Sequence, residues 1–139
     1  MRIIIIGGVA AGAKAAAKSK RLLPDADVHI YTKDTFVSYS SCGLPYYVAG
    51  DFEDWHKLIV RTKEEFEKSG INIHTEHQVT KILPADKKIL VKDLKLGVCN
   101  FVEYDKLIIA TGAAPFIPDI KNTGLKNIFT LRTLEDGIN

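Results

Sequence analysis

The chain has few cysteines, and none is placed to form a metal site or an internal disulfide. Its 139 residues include two cysteines far apart, Cys42 and Cys99, and no CxxC motif. That spacing gives no sign of a zinc site or a disulfide-stapled fold. The histidines are also too scattered for a metal site or an acid–base pair, and we interpret all four as structural or exposed: His29, His56, His74 and His77. We therefore expect no bound metal and two free thiols.

Long apolar runs and an excess of one charge are also missing. The apolar run at residues 3–6 is too short for a signal-peptide core or a membrane span, and two glycines end it. Nineteen basic against seventeen acidic residues leave a formal net charge of +2. Neither nucleic-acid binding nor membrane binding is supported by that balance. The composition, 46% hydrophobic and 26% charged residues, is ordinary for a globular fold. Because the sequence shows no signal segment, we expect a cytoplasmic protein with neither of those partners.

The N-terminal residues predict a strand, a helix and a second strand. Residues 2–6 form a β-branched run typical of a strand buried on both faces of a parallel sheet. Residues 10–23 are rich in alanine, lack proline and become basic toward the C-terminal half, as in a helix. Residues 28–31 predict the second strand. Together these about thirty residues have the size of a right-handed βαβ unit.

The rest of the chain predicts a short helix, further strands and an open tail. Residues 62–65 resemble a capping box that opens a helix ending at Gly70. The predicted strands lie at residues 71–74, in an antiparallel meander over residues 79–102 with a turn at 86–88, and at residues 107–110. Residues 50–55 read as a loop, and residues 115–139 show no closing element. An α/β fold with an uncovered sheet edge would result, which indicates part of a longer protein.

The turn between the first strand and the first helix has the position of a dinucleotide-binding fingerprint. Gly7 would allow the sharp turn, and Gly12 would allow the helix to pack close to the strand. The helix N-terminus would offer free N–H groups to a pyrophosphate. Val9 stands where the usual middle glycine would be, and a turn of this kind can also serve packing alone. The flanking strand and helix favour nucleotide binding.

The end of the second strand lacks the acid that such folds use to bind a ribose. Thr32 occupies the position, and a hydroxyl binds a ribose less strongly than a carboxylate does. Asp34 lies two residues further on and could substitute. The missing acid argues against NAD at this first turn.

The segment around Cys42 has two interpretations. A free cysteine is most often a small buried residue, and Cys42 lies beside a turn. The alternative is a redox thiol, because Gly43 would allow a ligand to approach closely. Amide dipoles would stabilise its thiolate if a helix begins near Gly43 or Leu44. We interpret Cys99, in a predicted meander strand, as structural.

Three basic residues of the first predicted helix share one face. Lys14, Lys18 and Arg21 recur at spacings of four and three residues. Such a stripe is most often a solvated surface. If the thiol reacts with a phosphorylated ligand, the same stripe would supply its anion site.

Four segments in the same order carry a family resemblance. They are residues 3–12, residues 38–47 (Ser-Tyr-Ser-Ser-Cys-Gly-Leu-Pro-Tyr-Tyr), residues 104–115 (Tyr-Asp-Lys-Leu-Ile-Ile-Ala-Thr-Gly-Ala-Ala-Pro) and residues 129–136. Together they resemble the N-terminal part of the pyridine nucleotide-disulfide oxidoreductases, in the single-cysteine branch. The resemblance implies an incomplete Rossmann-like FAD-binding domain over residues 1–115. Residues 116–139 would lead toward an NAD(P)H-binding domain.

The resemblance also implies which residues bind the cofactor and the substrate. FAD would contact Gly7, Gly8, Val9, Ala10, Ala11, Gly12, Thr32, Lys33, Ser40, Val79, Ala110, Thr111, Gly112 and Arg132. Thr32 and Lys33 would lie near the adenosine ribose, Val79 near the adenine, and Ser40 with Cys42 near the flavin. Coenzyme A would contact Lys14, Lys18, Arg21, Ser38 and Ser41, although Ser41 stands where these reductases often have asparagine.

The implied activity is NAD(P)H-dependent reduction of coenzyme A disulfide, with Cys42 as the catalytic residue. Residues 42–47 look most like the coenzyme A-disulfide reductases, in which Cys42 would form a mixed disulfide with coenzyme A. In an NADH oxidase or peroxidase it would cycle through a sulfenic acid instead. A non-catalytic, truncated nucleotide-binding module is the other alternative. The full-length enzyme would be a homodimer whose active site includes partner residues, so we expect no turnover from these 139 residues alone.

Overall fold

Two sheets and four helices make up the computed structural model, which describes residues 1–139. The strands are β1 (Arg2–Ile6), β2 (Asp27–Tyr31), β3 (Ile71–His74), β4 (His77–Leu83), β5 (Lys88–Asp93), β6 (Cys99–Glu103) and β7 (Lys106–Ile109). The helices are α1 (Ala11–Leu22), α2 (Leu44–Val48), α3 (Lys63–Lys68) and α4 (Leu134–Ile138), with short 3₁₀ helices at Ser41–Gly43 and Trp55–Leu58. None of the helices has the length and apolar composition that a membrane crossing requires.

The parallel sheet has the strand order β3-β2-β1-β7. Strand β1 pairs with β2 from Arg2 opposite Asp27 to Ile6 opposite Tyr31, and it pairs with β7 on its other side. The βαβ unit and the strand at residues 71–74 are therefore confirmed. The antiparallel sheet has the order β4-β5-β6, which confirms the predicted meander.

Strand β1 is hydrophobic at consecutive positions because both of its faces are covered. Ile3 and Ile5 pack in one core cluster with the alanines of α1, whereas Ile4 packs in a second cluster with Ile89 and Val91 of the meander. Ile4 and Ile5 have no exposed surface. A strand with water on one face would alternate instead. The sheet thus lies between α1 on one side and the meander on the other.

The predicted capping box opens α3 as expected. The Thr62 side chain accepts a hydrogen bond from the Glu65 amide at 3.3 Å, and the Glu65 carboxylate accepts one from the Thr62 amide at 2.8 Å. Gly70 then follows the helix with φ +73°, a conformation that glycine adopts without steric cost.

The tail does contain a helix, so the prediction of no closing element in residues 115–139 was wrong. Thr133 and Asp136 form a capping box at the start of α4, with Asp136 taking the role that Glu or Gln usually has. Leu134 is completely buried against Tyr39, Leu44 and Leu58. The pattern Thr-Leu-Glu-Asp was visible in the sequence, but a helix of five residues leaves almost no periodicity to detect.

Candidate functional site

The glycine turn is shaped by clearances that only glycine allows. A Cβ on Gly12 would lie 1.8 Å from the carbonyl oxygen of Gly7. A Cβ on Gly7, where φ is +106°, would lie 2.2 Å from the carbonyl oxygen of Ala110. Val9, which follows Gly8 in the turn, instead packs its side chain against the cluster around Tyr39. The missing middle glycine is therefore a packing position in this chain.

The turn that leads into α1 lines a cavity through Gly7, Gly8 and Val9. Ala10 is the N-cap residue and provides no side-chain acceptor, and no acidic side chain lies in the first helical turn. The first amide groups of the helix are thus available to an anion. The cavity has a volume of about 430 Å³, and its lining includes Gly7, Gly8, Val9, Lys33, Asp34, Ala110, Thr111, Gly112 and Arg132.

That lining joins segments distant in sequence at one edge of the parallel sheet. The turn after β1, the residues after β2 and the residues after β7 meet there because parallel strands end on the same side. Arg132 joins them from the tail, where its Nε donates to the Ala113 carbonyl at 2.9 Å. The shape and the exposed helix N-terminus fit the pyrophosphate of a dinucleotide.

A second cavity of about 230 Å³ adjoins the first through shared walls. Both cavities are lined by Gly7, Lys33, Asp34 and Thr111. The second is also lined by Tyr31, Thr32, His77, Gln78 and Val79. The structure therefore brings Thr32, Lys33 and Val79 together, as the sequence implied.

Asp34 lines both cavities, whereas Thr32 lines only the second. Thr32 is 4% exposed, and its hydroxyl lies 3.3 Å from an Asp34 carboxylate oxygen. Burial raises the pKa of Asp34, and the neighbouring Glu135 carboxylate raises it further. Asp34, the acid that the sequence offers in place of one at position 32, therefore lies in the wall that the two cavities share, and its role in ribose binding stays a prediction.

Cys42 is exposed, so its interpretation as a small buried residue is wrong. It lies in the 3₁₀ helix that precedes α2, and its Sγ is 3.2 Å from the Ser40 hydroxyl. Helix α2 begins at Leu44, where the sequence suggested a helix start. The glycine beside it has a packing reason, because a Cβ on Gly43 would lie 2.4 Å from the Leu58 side chain.

The backbone of Ser38 connects the cysteine segment to the glycine turn. Its amide donates to the Gly8 carbonyl at 2.8 Å, and its carbonyl accepts from the Val60 and Arg61 amides at 2.7 and 3.3 Å. Ser38 has a positive φ of 49°, which is unusual outside glycine. These bonds hold the segment over the start of α1.

A cavity of about 510 Å³ lies between the cysteine segment and α1, and we call it the thiol cavity. Its lining includes Val9, Ala10, Lys14, Ser38, Ser40, Ser41, Cys42 and Arg61. Of the predicted basic stripe, only Lys14 lines it. Arg21 lines a separate cavity of about 380 Å³, and Lys18 lines none of the main cavities. Sequence reasoning missed Arg61, which no motif marks.

Three of the four histidines lie together, which corrects the interpretation that they are scattered. His29 Nδ1 and His74 Nε2 are 3.0 Å apart, and the His74 ring stacks on Tyr31 with centroids 4.3 Å apart. His77 lies 5.7 Å from His74 by ring centroids. Burial, followed by the nearby His29 and His77, lowers the pKa of His74 to about 4. No group of three His, Cys, Asp or Glu residues is arranged to hold a metal ion.

The fourth histidine, His56, and the second cysteine, Cys99, line none of these cavities. His56 is exposed and its Nδ1 lies 2.7 Å from an Asp54 carboxylate oxygen. Cys99 begins β6 of the meander and is also exposed. Cys42 and Cys99 are both free thiols.

Residues 1–137 match the family described as pyridine nucleotide-disulphide oxidoreductase. An NADH oxidase of Methanocaldococcus jannaschii is 37% identical over 138 residues, which cover 99% of this chain and 31% of that protein. A coenzyme A disulfide reductase of Staphylococcus epidermidis is 33% identical over 136 residues, which cover 97% of this chain and 30% of that protein. The chain thus spans less than a third of the length of these curated relatives.

Solved structures give the same result. The crystal structure of reduced CoADR-RHD from Bacillus anthracis superimposes with a TM-score of 0.94 and 33% identity, covering 99% of this chain and 25% of that one. The family consists of oxidoreductases that bind FAD and NAD(P)H. With its parallel sheet, glycine turn and matched residues, the chain belongs to the pyridine nucleotide-disulphide oxidoreductase family.

Proposed function

We propose that this chain is the FAD-binding part of an NAD(P)H-dependent flavoprotein that reduces coenzyme A disulfide through Cys42. The observation that carries the proposal is the exposed Cys42 thiol, which shares one cavity with Lys14 and the start of α1. A thiol there is open to a disulfide substrate, and Lys14 adds a positive charge for a phosphorylated one.

The cofactor would occupy the two adjoining cavities at the edge of the parallel sheet. The turn and the α1 amides would bind its pyrophosphate, Asp34 and Lys33 its ribose, and Val79 its adenine. Together with Asp34, the residues proposed to hold FAD are Gly7, Gly8, Val9, Ala10, Ala11, Gly12, Thr32, Lys33, Ser40, Val79, Ala110, Thr111, Gly112 and Arg132. Bound FAD would supply the two-electron connection between NAD(P)H and the cysteine sulfur.

The sulfur chemistry itself is a thiol–disulfide exchange. The Cys42 thiolate attacks one sulfur of coenzyme A disulfide, so that a bond between Cys42 and coenzyme A forms as the original S–S bond breaks. One coenzyme A leaves as a thiolate. Two electrons from NAD(P)H then cleave the mixed disulfide, which releases the second coenzyme A and restores the Cys42 thiolate. The Ser40 hydroxyl, 3.2 Å from the sulfur, can donate a hydrogen bond to that thiolate.

We also propose that residues 1–115 belong to the FAD-binding domain and that residues 116–139 lead toward an NAD(P)H-binding domain. Apolar side chains are exposed at the end of β7 and along the residues that follow it, including Ile109 at 62%, Phe116 at 88% and Phe129 at 84%. Exposed apolar groups of this density favour further covering elements. We propose a cytoplasmic homodimer for the full-length enzyme.

Mass spectrometry of the intact chain tests the proposal. After treatment with coenzyme A disulfide, we expect the mass to rise by one coenzyme A moiety and a thiol reductant to remove it. Cys42→Ser should abolish the adduct, and Cys99→Ser should retain it because both thiols are exposed and only Cys42 lies in the thiol cavity. An adduct on Cys99 alone, or none, would contradict the proposal.

An NADH oxidase or peroxidase activity is the second candidate, because the Methanocaldococcus jannaschii relative carries the name NADH oxidase. In that activity Cys42 would be oxidised by a peroxide to a sulfenic acid, with the peroxide reduced to water. A reversible gain of one oxygen atom on Cys42 after peroxide, with no coenzyme A adduct, would favour this candidate. A thiol inert to both reagents would favour a non-catalytic nucleotide-binding module.

A further inference from the structure

Arg61 is held in a fixed position between two cavities. It lies in the segment between the 3₁₀ helix Trp55–Leu58 and α3. Its Nη2 donates to the Glu65 carbonyl at 2.8 Å and to the Ser69 hydroxyl, and its guanidinium lies 4.2 Å from the centre of the Phe66 ring. A guanidinium carries five N–H donors, so those of Nε and Nη1 remain for another acceptor.

The two cavities meet at this side chain. One is the thiol cavity, which contains Cys42. The other, which we call the basic cavity, has a volume of about 380 Å³ and lies between α1 and α3. Ala17 and Arg61 line both cavities. The two cavities therefore adjoin at these side chains, and an extended ligand with one end at Cys42 would reach the basic cavity by passing Arg61.

The charges along this path all have one sign. Lys14 lines the thiol cavity, Lys20 and Arg21 line the basic cavity, and Arg61 lines both. No aspartate or glutamate lines either of them. The nearest acidic helix, α3, directs the Glu65 carboxylate to the Thr62 amide instead. A cleft lined by one sign of charge concentrates ligands of the opposite sign.

We propose that Arg61 determines substrate specificity by binding a phosphate group of an extended thiol or disulfide whose sulfur reacts at Cys42. The planar guanidinium suits this role because it binds two phosphate oxygens at once, and its three contacts with α3 orient it before the ligand arrives. The identity of the ligand as a thiol rests on the proposed function. A substrate of the same thiol chemistry without phosphate would not use Arg61.

Two disulfides that share the same thiol-bearing arm but differ in phosphate distinguish phosphate binding by Arg61 from a general effect of Arg61 on the site. The rate of adduct formation at Cys42 is measured by intact mass with coenzyme A disulfide and with pantethine, which has the same arm and no phosphate. For Arg61→Gln we expect about a ten- to hundredfold slower reaction with coenzyme A disulfide, the range for a lost charged hydrogen bond. The rate with pantethine should change less than about twofold, since a neighbouring surface change has little effect.

Two further variants serve as controls. Lys57→Gln removes a positive charge from the neighbouring 3₁₀ helix at a residue that lines neither cavity, and it should leave both rates unchanged. Arg61→Lys keeps the charge without the planar fork and should give an intermediate rate with coenzyme A disulfide. Equal slowing of both disulfides by Arg61→Gln, or no slowing of either, would overturn the inference.

A binding measurement distinguishes failure of the inference from failure of the proposed function. In a Cys42→Ser background, calorimetry with coenzyme A measures affinity without any sulfur chemistry. Weaker binding on adding Arg61→Gln would support the phosphate contact even if the unsubstituted chain forms no adduct. Equal affinity with and without Arg61→Gln would overturn the phosphate contact even if the adduct forms.

Discussion

The glycine turn and the cysteine segment adjoin each other but are shaped by opposite means. The turn at residues 7–12 takes its form from backbone clearances, since a Cβ on Gly12 would lie 1.8 Å from the Gly7 carbonyl oxygen. The cysteine segment takes its position from side chains, because Tyr39, Leu44, Leu58 and Leu134 form a separate small core beneath it. A backbone-shaped site leaves a local motif, whereas a site supported by distant side chains does not.

The largest effect is expected where the backbone leaves no room. Gly12→Ala should lower the free energy of unfolding by about 3 kcal/mol or more, because the new methyl overlaps the Gly7 carbonyl. FAD binding should be lost with it. Urea unfolding, followed by circular dichroism, measures the free energy of unfolding. Quenching of the fluorescence of added FAD measures FAD binding.

The matched control for that substitution is Gly124→Ala, since a Cβ there would meet nothing within 4 Å. It should change the free energy of unfolding by less than about 0.5 kcal/mol. If Gly12→Ala were tolerated as well as Gly124→Ala, backbone clearance would not be what shapes the glycine turn.

The core beneath the cysteine segment gives the next effect. Leu134→Ala should cost about 3 kcal/mol, because Leu134 is completely buried and leaves a cavity against Tyr39, Leu44 and Leu58. The cysteine segment should loosen with it, so that hydrogen exchange of the amides around Cys42 rises while that of α1 does not. Hydrogen exchange read by mass spectrometry tests this.

Leu125→Ala removes a side chain that is 54% exposed and should change neither quantity. Equal protection of the cysteine segment in both variants would show that α4 does not support it.

The smallest expected effect is the pH dependence of stability that comes from His74, on the meander side of the parallel sheet. His74 has a pKa of about 4 in the folded chain against 6.5 for a free histidine, chiefly because it is buried. The folded state therefore binds fewer protons than the unfolded state, and stability is lost as the pH falls from 6.5 toward 4. We expect a loss of about 2 kcal/mol, below the full value for that shift because the ring is only half-buried.

Urea unfolding at pH 7 and at pH 4.5 measures this loss, and His74→Gln should reduce it. His56→Gln should not, because the His56 side chain is exposed. If the loss of stability between pH 7 and pH 4.5 were the same in both variants, groups other than His74 would be its cause.

Several elements could be predicted because their causes are local. The consecutive isoleucines of β1, the capping box of α3 and the alternation of β3 each record the immediate surroundings of the strand or helix. The tail helix α4 escaped prediction, and the short helix α2 was raised only as a condition for a stabilised thiolate, since five residues carry too little periodicity. Their stability comes from packing against residues far away in the chain.

The site divides in the same way. Gly7, Gly12 and Cys42 were found from motif and spacing. The clustering of His29, His74 and His77 was missed, because it depends on the parallel pairing of β2 with β3, which brings residues 29 and 74 together. Arg61 was missed because nothing near it in sequence marks it, and its partners lie on α3.

The amino-acid sequence by itself determined the βαβ unit, the glycine turn, the reactive-cysteine candidate and the resemblance to the family. The βαβ unit and the glycine turn depend on steric limits and hydrophobic periods that act within a few residues, whereas the cysteine candidate and the resemblance depend on the identity and order of four short segments. Only the tertiary structure decided which cations lie along the cavities next to Cys42, that Asp34 lines both cavities at the edge of the parallel sheet, and that the tail packs against the cysteine segment. Each of these is a long-range contact, and side chains separated by tens of residues meet only when the sheet is formed.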